Sequence, residues 1–505
     1  MADKFYVTTS IAYVNAKPHI GYAMEVIQAD VLARYHRLRG DETFSLTGTD
    51  EHGMKLVQTA ADQGISPQEL VDGNAVHFRS LKEKLNLDYD YFVRTTDENH
   101  MSGAKKLWKK MFDAGDIYKD SYEGLYCVGC EAFVLEKDLV EGKCPNHNKV
   151  PEKLKEENYF FRLSKYSDKI KYEIETGHLK VVPDSRKHEI LSVLKDGLRD
   201  VSFSRPKAVL QWGIEVPGDE GQVMYVWCDA LSNYITAIGY EKETEQFKKF
   251  WPADVHLIGK DILRFHSAIW IGMLVSAGLP LPKAIYVHGF ITSEGKKMSK
   301  SLNNVVDPAE YVDKYGVDAL RYYLLKEIPT TDDGDFSKER FATVYGSELA
   351  NNIGNLVSRV LAMTGKYFDS KVPDGEKGEG IFGPEVEKLW VGYEKAIADF
   401  DLKKALELIV EYASVANKFV DDTKPWALAK SDQKELARVI YVLLEMIRQI
   451  ALLLEPFLPA TSARVSDYLG IGGARLAYKE AKKWGMLKAG MEVKKAEPLF
   501  MRVEG

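Results

Sequence analysis

At 505 residues the chain is about three domains long, taking ~150 residues per domain, and its 45% hydrophobic and 28% charged residues exclude wholesale disorder and a fibrous repeat. Its 68 basic and 75 acidic side chains sum to −7, so no basic coat covers the protein and any nucleic-acid backbone must be met by local patches. Four cysteines are too few for a secreted disulfide framework and suit a reducing compartment.

The opening MADKFYVTTS enters a β-type run with no apolar signal region, so no secretory signal is expected and a cytoplasmic protein is. Residues 5–9 read as a strand, 21–39 as a helix, 43–47 as a second strand and 67–85 as another helix, the order expected of a parallel sheet with covering helices. From about 115 to 221 the pattern turns irregular and holds a cysteine cluster, as an insertion would. Candidate strands at 223–227, 255–258 and 284–287 then resume the sheet. The expected fold class is therefore α/β, a Rossmann-type doubly wound parallel sheet with an inserted domain. After Asp335 the β signal largely vanishes, and 348–364, 385–399, 402–421 and 433–454 carry apolar residues at helical spacing with Pro425 and Pro456 as breakers, predicting a helix bundle. The Gly-rich, charged stretch 371–383 predicts a surface loop. The most apolar stretch, 439–454, is broken by Glu445 and Arg448, so it predicts a buried helix and no membrane partner. Residues 475–505 hold eight basic and four acidic side chains, ordinarily a solvated face but one that could touch RNA.

Two motifs flank the sheet. KPHIGYA, at 17–23, lies between the first strand and the first helix, where unpaired N–H groups and the helix dipole favour phosphate and His19 can add a hydrogen bond. By itself it also fits a plain turn in which Pro18 starts the helix and Gly21 permits close packing. GKKMSKS, at 295–301, places Lys296, Lys297 and Lys300 within five residues, suited to gripping and releasing a polyphosphate. It is not a Walker loop, because no Ser or Thr follows Lys296.

A third motif, Cys127-x2-Cys130 followed after thirteen residues by Cys144-x2-His147, matches a tetrahedral zinc knuckle of three thiolates and one imidazole. All four positions are filled, leaving no place for a reactive water, so one structural Zn2+ is expected. The fourth cysteine, Cys228, reads as a small buried hydrophobe.

The two flanking motifs together resemble those of class I aminoacyl-tRNA synthetases. TTSIAYVNAKPHIG, LTGTDEHG, YVWCDALSNY, GKDILRFH and HGFITSEGKKMSKSLNNVVDP, with GNLVSR and KPWALAK in the helical part, are similar to the methionyl-tRNA synthetase family over most of the chain, and the knuckle resembles that family's single-knuckle type. The resemblance implies a Rossmann catalytic domain in two halves (1–114 and 223–290), a connective insertion (115–222, knuckle at about 127–147), a KMSKS loop and stem-contact region (291–345) and an anticodon-binding bundle with its tail (346–505). It implies that L-methionine is activated by ATP with Mg2+ and passed to tRNA(Met).

By the same resemblance, Ile11, Ala12, Tyr13, Val226, Trp227, Ala230, Leu231, Tyr234, Ile262 and His266 line a methionine pocket, and Asp50 holds the ammonium. Aromatic and aliphatic walls suit an unbranched thioether. His19, Gly21, Gly259 and Asp261 are implied at ATP, Lys297 and Lys300 at the leaving pyrophosphate, and Arg205 at the triphosphate. Asn355, Arg359 and Trp426 are implied at the anticodon, through a base edge, a guanidinium and a stacking face. Residues 346–505 hold 23 basic and 23 acidic side chains, so RNA binding there depends on a patch.

One position departs from the family: Tyr22 stands where the signature often has a second histidine, which raises the rival reading of an inactive, tRNA-binding relative. The intact GKKMSKS and Asp50 weigh against it. Among synthetases, those for Ile, Val and Leu carry a large editing domain in this insertion, and the cysteine enzyme uses zinc in its pocket. Homocysteine is an expected misactivated substrate, because a missing methyl is rejected only about 10–200-fold. No room remains for an appended dimerising domain, so a monomer is expected.

Overall fold

The computed structural model describes residues 3–128, 132–134, 136–145, 148–298, 304–472 and 477–501. Seven parallel strands form the central sheet: β1 (Lys4–Thr9), β2 (Ala12–Tyr13), β3 (Glu42–Asp50), β4 (Tyr91–Arg94), β5 (Lys180–Val182), β6 (Val255–Gly259) and β7 (Ala284–His288). Across the sheet β3 pairs with β1, β1 with β6, β6 with β7 and β7 with β5, while β2 and β4 both pair with β3. Phe5 to Thr9 are all buried, as in a parallel sheet covered on both faces. The order reverses at β1, which lies between β3 and β6, and a crevice opens there at the carboxyl ends of the strands.

The long helix α1 (Ile20–Arg39) buries residues around most of its circumference, including Gln28 and Asp30, because it lies between the sheet and the helical part. It ends on Gly40 at φ 89°, the left-handed stop that glycine adopts without strain. On the sheet's other face, Trp108, Phe203 and Trp270 belong to a second core shared with the insertion. That insertion is built on an antiparallel sheet in which Ile117–Cys127 pairs with Ala132–Val134 and Glu152–Phe161.

Three elements differ from expectation. The run expected as a strand at 223–227 is divided: Asp219–Met224 is a strand in a small antiparallel sheet with Ser204–Pro206 and Glu215–Val216, and Val226–Leu231 is a helix. A short apolar run fits either state, and here Val226–Leu231 takes the helix with every residue but Trp227 buried. β5, three residues inside the stretch read as insertion, joins the main sheet beside β7. The expected loop 371–383 becomes helical from Glu379 and includes Pro384, because Phe382 is wedged between Phe419 and Trp484. The helical part otherwise follows the pattern, with Asn355–Phe368, Glu379–Ala398, Leu402–Thr423 and Gln433–Leu454. No helix among the described residues is long and apolar enough to cross a membrane.

Candidate active site

The crevice begins where β1 runs into α1. His19 caps the helix: its Nδ1 accepts the N–H of Gly21 at 3.1 Å, which leaves Nε2–H as the donor of the neutral ring. A Cβ on Gly21 would stand 2.9 Å from the ring's Cε1, so glycine is what lets the imidazole sit over the helix start. Tyr22 turns the other way. Its hydroxyl lies 3.0 Å from Thr47 Oγ1 on β3, and its ring meets Phe78 edge-on at 5.1 Å. The hydroxyl is therefore committed to the sheet and does not replace the missing histidine on the outer face of the helix start.

Across the crevice lie Gly259 and Asp261, at the end of β6 and just after it. A Cβ at Gly259 would come within 2.9 Å of Asp261 Oδ1, so the bare backbone is required for that side chain to fold back. Deeper in, Glu25 of α1 accepts the backbone N–H and hydroxyl of Ser10 at 2.7 and 2.6 Å and bonds His288 Nε2 at 2.8 Å. The other nitrogen of His288 donates to the Gly289 carbonyl. Burial alone would lower the His288 pKa, but the Glu25 carboxylate, the Gly289 carbonyl and Asp261 outweigh it and raise it. Ser10, Glu25 and His288 were missed in the sequence. Glu25 carried only a weak signal, as a charge in an otherwise apolar stretch of helix.

The GKKMSKS segment starts in a tight hairpin. Ile291–Ser293 pairs antiparallel with Lys296–Lys297, and Glu294 (φ 52°) and Gly295 (φ 73°) take the two left-handed positions of the turn. Lys297 is on this strand; Lys300, with 299–303, lies outside the described residues. The chain re-enters at Asn304, and the Val306 carbonyl, just beyond the motif, accepts the Ile20 N–H at 3.3 Å at the start of α1 beside His19.

The expected pocket residues come from four elements. Ile11, Ala12 and Tyr13, half-buried, follow β1, and Tyr13 pairs in register with Asp50 at the end of β3. Val226, Trp227, Ala230 and Leu231 lie on one short helix, and Tyr234 follows on Asn233–Thr236. Trp227 stacks on Phe265 at 3.8 Å and meets His266 edge-on at 6.3 Å. The Tyr234 hydroxyl lies 2.6 Å from His266 Nε2, whose Nδ1 faces the Ile262 carbonyl at 3.0 Å. Since a carbonyl only accepts, Nδ1 carries the proton and Nε2 accepts from the tyrosine. Burial lowers the His266 pKa to about 4, so the ring is neutral. Most of these side chains share one apolar core, in which the hydrogen bonds of His266 are fixed polar points.

Other candidates sit elsewhere. Arg205 is on the small antiparallel sheet, bonded to Glu156 at 2.7 Å and lying over the Tyr126 ring at 3.9 Å. Cys127 and Cys144 are both buried in the insertion, while Cys130 and His147 lie outside the described residues. In the bundle, Asn355 and Arg359 share one face of their helix, Arg359 bonds Asp421 at 2.9 Å, and Trp426 is 46% exposed.

Comparison with known proteins places this arrangement. The family described as tRNA synthetases class I (M) matches residues 5–153 and 147–361, and the anticodon binding domain of methionyl tRNA ligase matches residues 373–505. Methionine–tRNA ligases of Caldanaerobacter subterraneus subsp. tengcongensis and Rhizobium meliloti are 46% and 42% identical, covering 100% and 99% of this chain and 80% and 98% of their own lengths. The structure of Mycobacterium tuberculosis methionyl-tRNA synthetase in complex with methionyl-adenylate superposes with a TM-score of 0.95 at 38% identity, over 99% of this chain and 100% of that one. Its apo form gives 0.88 at 36% identity, over 100% and 99% of the two chains. Alike in sequence and fold over nearly its whole length, the chain belongs to the methionyl-tRNA synthetase family of class I aminoacyl-tRNA synthetases.

Proposed function

We propose that the crevice between β1 and β6 carries out both half-reactions of a methionine–tRNA ligase with the following division of labour. L-Methionine enters with its ammonium at Asp50 and its thioether against Trp227, Tyr234 and His266, with Ile11, Ala12, Tyr13, Val226, Ala230, Leu231 and Ile262 completing the walls. A neutral, hydrogen-bonded His266 suits an uncharged sulfur side chain, and the aromatic edges favour sulfur. ATP lies along the start of α1, with its phosphates at His19 and the bare backbone of Gly21 and its ribose at Gly259 and Asp261.

The methionine carboxylate attacks the α-phosphorus in line, methionyl-adenylate forms, and pyrophosphate leaves towards Lys297 and Lys300. Mg2+ shares the charge of the phosphates. The protein positions the reactants and stabilises charge, and no covalent enzyme intermediate is needed. In the second step the terminal ribose hydroxyl of tRNA(Met) attacks the adenylate carbonyl and AMP leaves. Arg205, bonded to Glu156 on the small antiparallel sheet, reaches the triphosphate. Asn355, Arg359 and Trp426 meet the anticodon on the bundle.

Cys127, Cys130, Cys144 and His147 would hold one structural Zn2+. The buried thiols of Cys127 and Cys144, at the end of a strand and in the tight turn where Asn148 N–H bonds the Cys144 carbonyl, suit a closed site that ties a hairpin together. The protein is read as a cytoplasmic monomer.

The observation that carries the proposal is the hydrogen bond that joins Val306, just beyond GKKMSKS, to Ile20 beside the His19 cap. The test is ATP–pyrophosphate exchange with each standard amino acid and homocysteine, using zinc-replete protein and Mg2+. Exchange with methionine and a trace with homocysteine is expected; exchange driven equally by another amino acid, or by none, overturns the reading.

A further inference from the structure

Beneath the residues assigned to methionine lies a buried group that the mechanism does not use. Asp229, 1% exposed, sits on the helix Val226–Leu231 beside Trp227 and Ala230. Its Oδ2 is 2.6 Å from His52 Nδ1 and its Oδ1 is 2.7 Å from His100 Nε2, so each carboxylate oxygen holds a different element. His52 follows Asp50 by two residues in a turn where 50–52 are all buried, and His100 is on the helix Glu98–Asp113, with its Nδ1 2.9 Å from Thr236 Oγ1. Burial would raise the Asp229 pKa, but the two imidazoles outweigh it and keep it lowered. Asp229 is thus an ionised carboxylate held between two ring N–H donors.

A buried charge is an expensive way to hold a helix that apolar packing could hold as well, and its distinctive product is fixed direction. Oδ2 ties the turn carrying Asp50 to the helix carrying Trp227, and Oδ1 ties that helix to Glu98–Asp113. The same turn is anchored from its far side: Glu51 accepts from Arg94 Nε and Thr49 Oγ1 at 2.7 Å each, and its carbonyl accepts Trp212 Nε1 at 2.6 Å. Held on both sides, the turn fixes the direction in which Asp50 leaves the end of β3.

We propose that Asp229, His52 and His100 form a positioning unit that sets the spacing between Asp50 and Trp227 and thereby the affinity for the amino acid, without touching it. This rests on the methionine-pocket reading above. Its consequence is selective: loosening the unit raises the KM for methionine and leaves the nucleotide side of the crevice unaffected.

The test is ATP–pyrophosphate exchange under varied methionine and varied ATP. His52→Ala and His100→Ala are expected to raise the methionine KM about tenfold, the scale of one lost charge-assisted hydrogen bond, with the ATP KM within about twofold. His52→Asn and His100→Gln place an amide donor near the lost nitrogen and are expected to restore most of that affinity. An equal loss for methionine and ATP, or conservative variants no better than alanine, overturns the proposal. Should the alanine variants not fold, Asp229→Asn, which keeps the size and loses the charge, must raise the methionine KM alone, and an unchanged KM overturns it. Asp50→Ala separates the two readings. If it raises the methionine KM while His52→Ala and His100→Ala do not, the positioning unit alone fails; if Asp50→Ala has no effect, the pocket reading fails and takes the positioning unit with it.

Discussion

Tyr22 sits one residue past Gly21, and its hydroxyl is engaged by Thr47, which in turn accepts the Thr9 hydroxyl at 2.8 Å. The chain therefore joins β1, β3 and α1 through three hydroxyls and leaves the outer face of the helix start to His19. Tyr22→Phe is expected to lower stability by about 1 kcal/mol in urea unfolding while adenylation stays within about threefold. His19→Ala, which removes both the cap and the phosphate donor, is expected to reduce exchange at least a hundredfold. An activity loss in Tyr22→Phe as large as in His19→Ala would return the tyrosine to the phosphate site. His266 gives a second residue-scale expectation. Its folded pKa of about 4 lies below the usual 6.5, so between these values the unfolded chain binds a proton that the folded one does not. Stability is therefore lost as pH falls through that window, by on the order of 3 kcal/mol in full. The stability difference between the protein and His266→Asn should shrink from pH 7 to pH 5, and parallel curves would show that the ring charges in place.

At the scale of elements, the strands and helices that position the site were legible because their patterns are long or fully buried. Residues 5–9, 21–39, 255–258 and 284–287 were expected, and the structure has β1, α1, β6 and β7 there. β5 escaped notice because three residues carry no period, and Val226–Leu231 because the short apolar run 223–227 that leads into it fits strand and helix alike. The site was legible as motifs, His19 and GKKMSKS above all. It was not legible as buried hydrogen-bond partners: His52, His100 and Asp229 lie in three separate stretches of chain, and no spacing rule joins them. The +4 tail, expected as a solvated face that could also touch RNA, is held to the bundle through Arg448 and Gln449, which donate to the carbonyls of Ala481, Lys482 and Lys483. On the bundle face proposed for the anticodon, Asp421 neutralises Arg359. Such an exposed pair adds little stability, about 0–1 kcal/mol. Trp426→Ala should raise the KM for tRNA about tenfold with exchange unchanged. Asp421→Asn should lower that KM, because it uncovers the guanidinium and removes a charge that repels phosphate; a higher KM would place the contact elsewhere. In the insertion, chelation should release one zinc per chain and loosen the hairpin Ile117–Cys127 and Glu152–Phe161, read by hydrogen exchange, with β1, β3 and β6 still protected.

At the scale of the whole molecule, the catalytic sheet and the helical part share one core, and a single buried cation stands at the joint. Arg321, 0% exposed, bonds Asp30 of α1 at 2.7 Å, the Leu85 carbonyl at 3.1 Å, and the carbonyls of Phe457 and Pro456 at 2.7 and 3.1 Å. Asp30 is also held by Arg34 at 2.8 Å and accepts the Asp88 N–H at 2.7 Å. One guanidinium thus fixes the turn between two bundle helices, Gln433–Leu454 and Pro459–Tyr468, against α1, whose start is the proposed phosphate site. Removing one partner of such a buried pair usually destabilises by about 3–5 kcal/mol, here moderated because Arg34 still compensates Asp30. Arg321→Met keeps the length and loses every donor. Its effect should fall unevenly on the two half-reactions, since amino-acid activation needs only the crevice, whereas charging needs the acceptor end and the anticodon held at a fixed separation. Aminoacylation kcat/KM is therefore expected to drop at least tenfold at a temperature where the variant remains folded, with exchange within about threefold. An equal fall in both would mean that Arg321 supports the stability of the sheet alone and that the bundle keeps its orientation through the apolar contacts around Tyr35, Tyr393 and Phe457.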